Sequence, residues 1–231
     1  MSISDSCAQL HNMLERLPLF SYPFDTAELP MNGIYFFYEE GELCDHTGLK
    51  PRIVRVGTHR DGNFRTRISE HFLPDERKMK FTADQPAPHD RSIFRKHVGR
   101  ALLNKAGDPY LSVWELEFTT RKARDAARHL RNVQKEVEIE REVTQILRQT
   151  FCFRFIEIPE QANRMGAQGL ESAIIATVAR CQVCAGSPKW LGIYAPNSKI
   201  RESGLWNIQH LNSLPLSDSQ FEMLHSATAQ S

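Results

Sequence analysis

Three runs of residues decide how this chain folds: GIYFFY at positions 33–38, RIVRVGTH at 52–59 and FRTRISEHF at 64–72. The first two runs are rich in aromatic and β-branched side chains, which favour strands. Gly41 and Gly48 lie between them, where the chain must reverse its direction. The sequence therefore predicts two antiparallel strands that form a hairpin.

The third run predicts a helix whose polar residues face the hairpin. Its apolar residues recur every four positions and form one stripe: Phe64, Ile68 and Phe72. Arg67 and His71 are also four residues apart, so they share one face of the helix. Together with Tyr35 they suit phosphate chemistry, because arginine binds phosphate oxygens bidentately while tyrosine or histidine can move a proton.

At these positions the sequence resembles the GIY-YIG nuclease family. The first tripeptide is intact at residues 33–35, and the second is represented by residues 55–57, with Arg55 where the family usually has tyrosine. Arg67 and His71 match the family's helix signature. Residues 169–175 match the helix that supplies its metal-binding glutamate, here Glu171. Four matching elements in the right order make the resemblance specific.

The resemblance implies an α+β fold: a small, mainly antiparallel three-stranded sheet flanked by helices and enlarged by a mainly helical insertion. We expect a single domain over residues 1–231, in which 74–131 form an inserted segment and a possible DNA-contacting region. The implied metal is Mg²⁺ or Mn²⁺, held by Glu171. Tyr35 is then expected to take a proton from water, Arg67 to stabilise the transition-state charge, and His71 to orient water or phosphate or relay a proton.

Glu171 can also be judged without the family. It lies beside the apolar stripe of its predicted helix: Leu170, Ile174, Ile175 and Val178. A carboxylate in such a position is costly unless a cation or an arginine pairs with it. A glutamate in the first helical turn is also favoured by the helix dipole. The two readings weigh equally from the residues alone, and the resemblance favours metal binding.

Two features of the family pattern stay open in the sequence. Arg55 can bind the scissile phosphate, or it can pair with Glu171 and weaken metal binding. The asparagine that supports the site in the family has two candidates, Asn197 and Asn207.

Composition sets the outer limits. The chain has 231 residues, a hydrophobic content of 41% and a formal charge of +1, so any attraction to DNA must come from local patches. No run is apolar and long enough for a membrane span, and the first twenty residues lack the pattern of a signal peptide. We therefore expect a cytoplasmic protein with reduced cysteines, and composition leaves the oligomeric state open.

One C-x-x-C pair, Cys181 and Cys184, raises the question of zinc. A zinc site needs two more ligands, and no second pair exists. Cys152 or His210 could contribute only in an unusual arrangement. The sequence therefore favours buried or idle thiols.

Periodicity predicts the remaining elements. They are a short amphipathic helix within 4–17, a long polar hairpin loop over 39–51, a helix over 91–103, a strand over 111–118, a helix over 120–149 and a strand over 151–158. The strand at 151–158 would be the third of the sheet.

Two basic segments, 91–100 and 121–131, are candidates for contacts with a DNA backbone. Arg95, Lys96 and Arg100 of the first segment are therefore predicted, with Arg55, to bind substrate, although basic helices are equally often solvated surface. The sequence as a whole predicts a Mg²⁺-dependent DNA endonuclease, stand-alone or restriction-like. The alternative is a GIY-YIG-fold nucleic-acid-binding module with weakened catalysis.

Overall fold

In the computed structural model, which describes residues 2–46 and 48–229, one antiparallel sheet forms the centre of the molecule. Its strands follow the spatial order β1-β4-β2-β3. They are β1 (Phe20–Ser21), β2 (Ile34–Cys44), β3 (Lys50–Thr58) and β4 (Phe151–Ile156). The predicted α+β class and the three long strands are confirmed, and the two-residue β1 is an addition at the edge beside β4.

Helices surround this sheet. They are α1 (Ile3–Leu14), α2 (Phe64–Phe72), α3 (Pro88–Arg91), α4 (Ile93–Lys105), α5 (Leu111–Trp114), α6 (Arg121–Ala127), α7 (Val133–Thr150), α8 (Gln161–Arg164), α9 (Leu170–Ala179), α10 (Ser198–Ser203) and α11 (Asp218–Thr228). Short 3₁₀ turns occur at Thr26–Glu28, Glu76–Met79, Arg128–Leu130, Gln182–Cys184 and Leu191–Tyr194. Among the described residues, no helix has the length and apolarity needed to cross a membrane.

The sheet separates two cores because successive side chains of a strand point to opposite faces. Ile34 and Phe36 of β2 face a core shared with α1, α9 and α11. Tyr35 and Phe37 face a second core, shared with α2, α4 and α7. Tyr35 is therefore directed toward the helix that carries Arg67.

Close contacts explain why glycine is required at two positions of the hairpin, 33 and 57. A Cβ on Gly33 would lie 2.6 Å from the carbonyl oxygen of Ile156 on the neighbouring strand β4. Gly57 is the register partner of Tyr35, and a Cβ there would lie 2.2 Å from the tyrosine hydroxyl. The glycine of the second tripeptide thus leaves the space into which the Tyr35 ring extends.

The predicted strand over 111–118 is wrong. Leu111–Trp114 form the short helix α5, and the indole of Trp114 is buried against α4. Its Nε1–H donates to the carbonyl of Lys96 at 3.1 Å, and the ring occupies space that a side chain on Gly99 would fill. The packing of one large side chain against α4 makes this segment helical, although its imperfect alternation of apolar residues favoured a strand.

Two further boundaries differ from the prediction. The helix expected over 120–149 is interrupted after Ala127 and begins again at Val133, where Asn132 accepts the Lys135 N–H at 3.1 Å as an N-cap. The loop expected over 39–51 is mostly strand, because β2 extends to Cys44 and β3 begins at Lys50. The turn itself is short.

A buried ion pair explains why a polar sequence stays in the sheet at this hairpin. Arg52 is fully buried, and its Nη2 lies 2.6 Å from Oε2 of Glu42. Glu42 also accepts the Ser187 N–H at 3.0 Å. The charges therefore satisfy one another inside the protein instead of facing water.

Candidate active site

Tyr35, Arg55, Arg67 and Glu171 line one cavity of about 370 Å³. They come from β2, β3, α2 and α9, so the cavity lies where the sheet, two helices and the C-terminal segment meet. The remaining lining residues are Thr58, Ile93, His97, Ile175, Trp206, Asn207, Ile208, Gln209 and His210.

Glu171 is held at the start of α9 by the end of β3. Its Oε1 accepts the backbone N–H of Thr58 at 3.1 Å, and the Thr58 hydroxyl donates to the carbonyl of Gly33 at 2.6 Å. Burial raises the pKa of Glu171, while the Thr58 N–H and the charge of Arg55 act in the opposite direction. The carboxylate has a fixed position and an acceptor oxygen that the Thr58 contact leaves available.

Tyr35 is backed by a buried histidine. The Tyr35 hydroxyl lies 3.0 Å from Nε2 of His71, and Nδ1 of His71 lies 2.8 Å from the hydroxyl of Ser92. Burial lowers the pKa of His71 well below its usual value, and the nearby charges of Arg67 and Arg55 lower it further. The neutral ring therefore has one N–H donor and one acceptor nitrogen, and it fixes the phenol in the cavity wall.

Two hydrogen bonds hold the side chain of Arg67 in place. Its Nη1 donates to the carbonyl of Arg91 at 2.8 Å and to Oε2 of Glu70 at 3.1 Å. These contacts hold the guanidinium over the cavity and leave donors for a ligand, because the group has five N–H donors.

One family model covers nearly the whole chain. A family model described as a GIY-YIG domain matches residues 6–230. The chain belongs to the GIY-YIG family. The family is one of nucleases, and Gly33 and Tyr35 of its first motif and Gly57 of its second occupy the structural positions described above. No curated protein and no solved structure matches the chain.

Arg55, which departs from the GIY-YIG pattern, lies inside the cavity wall. Only 6% of the residue is exposed. Its Nη1 donates to the carbonyl of Trp206 at 2.6 Å, and its guanidinium carbon lies 4.9 Å from the centre of the Phe94 ring. Burial lowers its pKa. Among the ion pairs of the described residues, none joins Arg55 to Glu171, and Nε of Arg55 is buried without a partner.

The geometry distinguishes the two asparagines. Asn207 lines the cavity, where its Oδ1 accepts the Val56 N–H at 3.1 Å and its Nδ2 donates to the Val56 carbonyl at 2.9 Å. Asn197 instead caps α10 by accepting the Lys199 N–H at 3.0 Å. The side chain of Asn207 therefore pairs with the backbone of β3 and lies in the cavity that Tyr35, Arg67 and Glu171 also line.

The prediction that Arg95 and Lys96 contact DNA is wrong. Arg95 is fully buried, pairs with Glu140 at 2.5 Å and donates to the carbonyl of His71 at 2.8 Å. Lys96 is 5% exposed and donates to the carbonyl of Leu116 at 2.5 Å. Helix α4 is enclosed on several sides. Its basic residues look like a solvated face in the sequence, but in the structure they make buried polar contacts.

Arg100, the third predicted phosphate contact on this helix, is only partly enclosed. Its Nε lies 3.5 Å from the carboxylate of Glu115, and the side chain keeps 19% of its exposure. Arg100 therefore keeps only part of its guanidinium available to a ligand, and a role in DNA binding stays a prediction.

Several residues of the site could not be identified in the sequence. Thr58 and Ser92 act through a backbone N–H and a hydroxyl, for which no motif exists. Arg164 is buried and donates to the Thr58 hydroxyl at 3.0 Å and to the His59 carbonyl at 2.5 Å. It joins α8 to the end of β3, and its sequence neighbours carry no signal of that role.

His97 reaches the cavity from α4 and was also missed. Burial, together with the charge of Arg55, lowers its pKa to about 3. It is therefore neutral near pH 7 and offers a hydrogen bond, not a charge, to a ligand.

Proposed function

We propose that this GIY-YIG protein is a metal-dependent endonuclease that hydrolyses phosphodiester bonds in DNA. The observation that carries the proposal is the single cavity in which a phenol, two guanidinium groups and one carboxylate face the same space. These groups supply a proton acceptor, phosphate ligands and a metal ligand, which are the functions that such a hydrolysis needs.

The donor set fits Mg²⁺ or Mn²⁺. A single carboxylate, completed by water and phosphate oxygens, is a usual way for proteins to hold Mg²⁺. Glu171 is the proposed ligand, since the Thr58 N–H engages one oxygen and leaves the other available. A bound ion supplies Lewis-acid stabilisation of the phosphate and of the leaving oxygen.

We assign proton transfer to Tyr35. Its hydroxyl faces the cavity and lies 3.0 Å from the neutral His71. When Nε2 accepts this hydrogen bond, Nδ1–H donates to Ser92, and the phenol oxygen keeps a lone pair for the attacking water. His71 thus acts behind Tyr35 as a positioning residue and has no direct contact with substrate in this arrangement.

Arg67 and Arg55 are the proposed phosphate ligands. Arg67 is anchored to the Arg91 carbonyl, so its remaining N–H groups are oriented before the substrate arrives. Arg55 is held by Trp206 and Phe94, and its unpartnered Nε indicates that its hydrogen bonds are incomplete without a ligand. Both positive charges stabilise the extra negative charge of the transition state.

DNA is the proposed partner, and the inserted segment 74–131 remains the proposed region for additional contacts. Within it, Arg121 and Lys122 are exposed, as a contact with a phosphate backbone requires. Contacts of arginine and lysine with backbone phosphates are salt-sensitive and carry no sequence information, so we expect this kind of binding from this region.

The proposal is tested by incubating supercoiled plasmid with the protein in Mg²⁺, in Mn²⁺ and in EDTA, beside a labelled RNA of matched length. We expect nicking that requires metal and is faster on DNA, and we expect Tyr35→Phe to lose it while still binding DNA. Metal-independent binding without nicking by the wild type would instead support the alternative, a GIY-YIG module that binds nucleic acid without cutting it.

A further inference from the structure

Outside the nuclease cavity, four of the five cysteines gather at one place with two histidines. Cys7 and His11 come from successive turns of α1, His46 from the β2–β3 turn, and Cys184 from the 3₁₀ turn after α9. Cys44 and Cys181 border the same group. Cys152 stands alone on β4.

The distances from the sulfur of Cys184 to the other three donor atoms are close to the edges of a tetrahedral metal centre. Sγ of Cys184 lies 3.6 Å from Sγ of Cys7, 3.4 Å from Nε2 of His11 and 3.3 Å from Nε2 of His46. All four donors lie within 4.8 Å of one another. With Zn–S about 2.3 Å and Zn–N about 2.0 Å, the edges of a zinc tetrahedron are roughly 3.3–3.8 Å.

A disulfide does not explain the group. The 3.6 Å between the sulfurs of Cys7 and Cys184 is far longer than a covalent S–S bond of about 2.0 Å. All five cysteines are free thiols. Two thiols and two imidazoles that converge in a largely buried space would leave several polar atoms poorly solvated unless they share a ligand.

We propose that Cys7, His11, His46 and Cys184 bind one zinc ion as a closed structural site. Two sulfur and two nitrogen donors in tetrahedral array are the ligands that zinc prefers. Four protein donors leave no position for water, so the ion stabilises the fold and does not take part in hydrolysis. Cys181, whose Sγ lies 3.2 Å from Nε2 of His46, is a neighbour outside the ligand set.

The expectation from the sequence counted only Cys152 and His210 as partners for the Cys181–Cys184 pair, and the structure shows a different set. Cys7 and His11 are separated by four residues on one helix, and this is the signal that periodicity could have supplied. His46 and Cys184 come from distant segments, whose proximity only the fold creates. Metal binding would thus join α1, the hairpin and the end of α9.

This site and the proposed catalytic metal are far apart. Glu171 is at the beginning of α9, and Cys184 follows its end, so the ten helical residues alone separate them by about 15 Å. Each metal can therefore be removed from the protein by a substitution that leaves the other intact.

Metal content of the protein, purified under reducing conditions without added metal and dialysed, tests the proposal. We expect about one zinc ion per chain in the wild type, in Cys152→Ser, in Cys181→Ser and in Glu171→Gln. Cys184→Ser and His11→Ala should lose it and unfold at lower temperature, because binding free energy of structural zinc is folding free energy. Release of the ion by a thiol-reactive mercurial, followed with a colorimetric chelator, should account for the same amount.

Refolding wild-type protein with Co²⁺ gives a second test that does not depend on whether the variants fold. Thiolate-to-cobalt charge-transfer bands and the intense visible bands of tetrahedral cobalt are expected, and zinc should displace them. Metal-free wild type with an unchanged melting temperature, a Cys7–Cys184 disulfide in its place, bound iron, or full zinc content in Cys184→Ser would each overturn the proposal. Loss of zinc in Cys181→Ser would overturn the assignment of ligands.

Discussion

At the scale of single residues, Arg55 is the position that separates this chain from the common GIY-YIG pattern. Its guanidinium is buried, bound to the Trp206 carbonyl and stacked on Phe94, so it is a built part of the cavity. A tyrosine at the same position would be uncharged and would lack the fork that binds two phosphate oxygens.

We expect Arg55→Tyr to slow single-turnover cleavage or to raise the DNA concentration needed for it by about tenfold or more, since a charge-assisted contact is lost. The measurement is cleavage over a Mg²⁺ titration, with Arg16→Tyr, an exposed position outside the cavity, as the matched control. A Tyr variant that cuts faster than a nearly inert wild type would mean that Arg55 blocks the metal.

Glu171 gives a prediction about pH. Burial raises its pKa, and a metal binds only the deprotonated carboxylate. Cleavage should therefore decline on the acid side at a higher pH than for an ordinary glutamate, and more Mg²⁺ should move this midpoint to lower pH, because metal and proton compete. Single-turnover rates from pH 5 to 8 at two Mg²⁺ concentrations measure this; a midpoint independent of Mg²⁺ would contradict it.

At the scale of elements, helices α4 and α7 are joined by an ion pair that water does not reach. Arg95 and Glu140 have fully buried side chains, and Arg95 also donates to the His71 carbonyl at 2.8 Å. His89 Nδ1 adds a contact of 2.9 Å to the same carboxylate. The network connects the helical insertion to the helix that carries the proposed catalytic residues.

Glu140→Ala should lower the free energy of unfolding by about 3–5 kcal/mol, because the buried charge of Arg95 loses its partner. Urea denaturation measures the change, with the exposed Glu138→Ala on the same helix as the control. The double change Arg95→Met with Glu140→Met should restore part of the loss. Equal midpoints for Glu140→Ala and Glu138→Ala would show that the pair contributes little.

The same pair predicts a pH dependence of stability. Burial alone would raise the pKa of Glu140, but Arg95 and His89 outweigh it and lower the pKa to about 2. The contribution is therefore complete above the ordinary value of 4.5 and is lost as pH falls from there toward 2. The difference between wild type and Glu140→Ala should shrink over that interval in acid denaturation.

Elements with a strong internal period could be predicted, and those decided by a distant contact could not. β2 follows its run of aromatic and β-branched residues, which fill a core on each face of the sheet, and α2 follows its four-residue apolar repeat, which buries one face of the helix. α5 depends on one indole that packs beside Gly99, and the basic face of α4 is buried because Glu140 approaches from another helix. Charge pattern alone cannot distinguish an internal pair from solvated surface.

The site shows the same limit. Tyr35, Arg67 and Glu171 could be proposed because their spacing resembles a family and their chemistry fits phosphate. Asn207 could not be chosen over Asn197 until its side chain was found paired with Val56 on β3. The zinc-type cluster was missed because its residues come from three segments that are adjacent only in the folded chain.

At the scale of the whole molecule, a net charge of +1 means that DNA must be attracted by local groups. After the burial of Arg95 and Lys96 is taken into account, the basic segment 121–131 retains Arg121, Lys122 and Arg128 as exposed cations. Arg128 is already paired with Asp84. Arg121 has only a long, exposed contact of 3.7 Å with Asp125, so Arg121 and Lys122 are the residues through which the insertion can be tested.

If the insertion contacts the backbone, Arg121→Ala with Lys122→Ala should weaken binding equally on unrelated sequences. The plot of log affinity against log salt should become shallower by about two units, one for each lost contact. Arg16→Ala with Lys189→Ala changes the same charge outside the insertion and is the control. Identical slopes in both double variants would show that Arg121 and Lys122 are ordinary surface charges.

Glu171 is proposed to hold the metal on which hydrolysis depends, and single-turnover cleavage by Glu171→Gln tests this role. The amide keeps the shape and the Thr58 contact but removes the charge. We predict that cleavage falls by several orders of magnitude, on the scale seen when a group central to the transition state is lost. DNA binding in Ca²⁺ and zinc content should remain those of the exposed control Glu222→Gln. Cleavage by Glu171→Gln at the wild-type rate would contradict the claim.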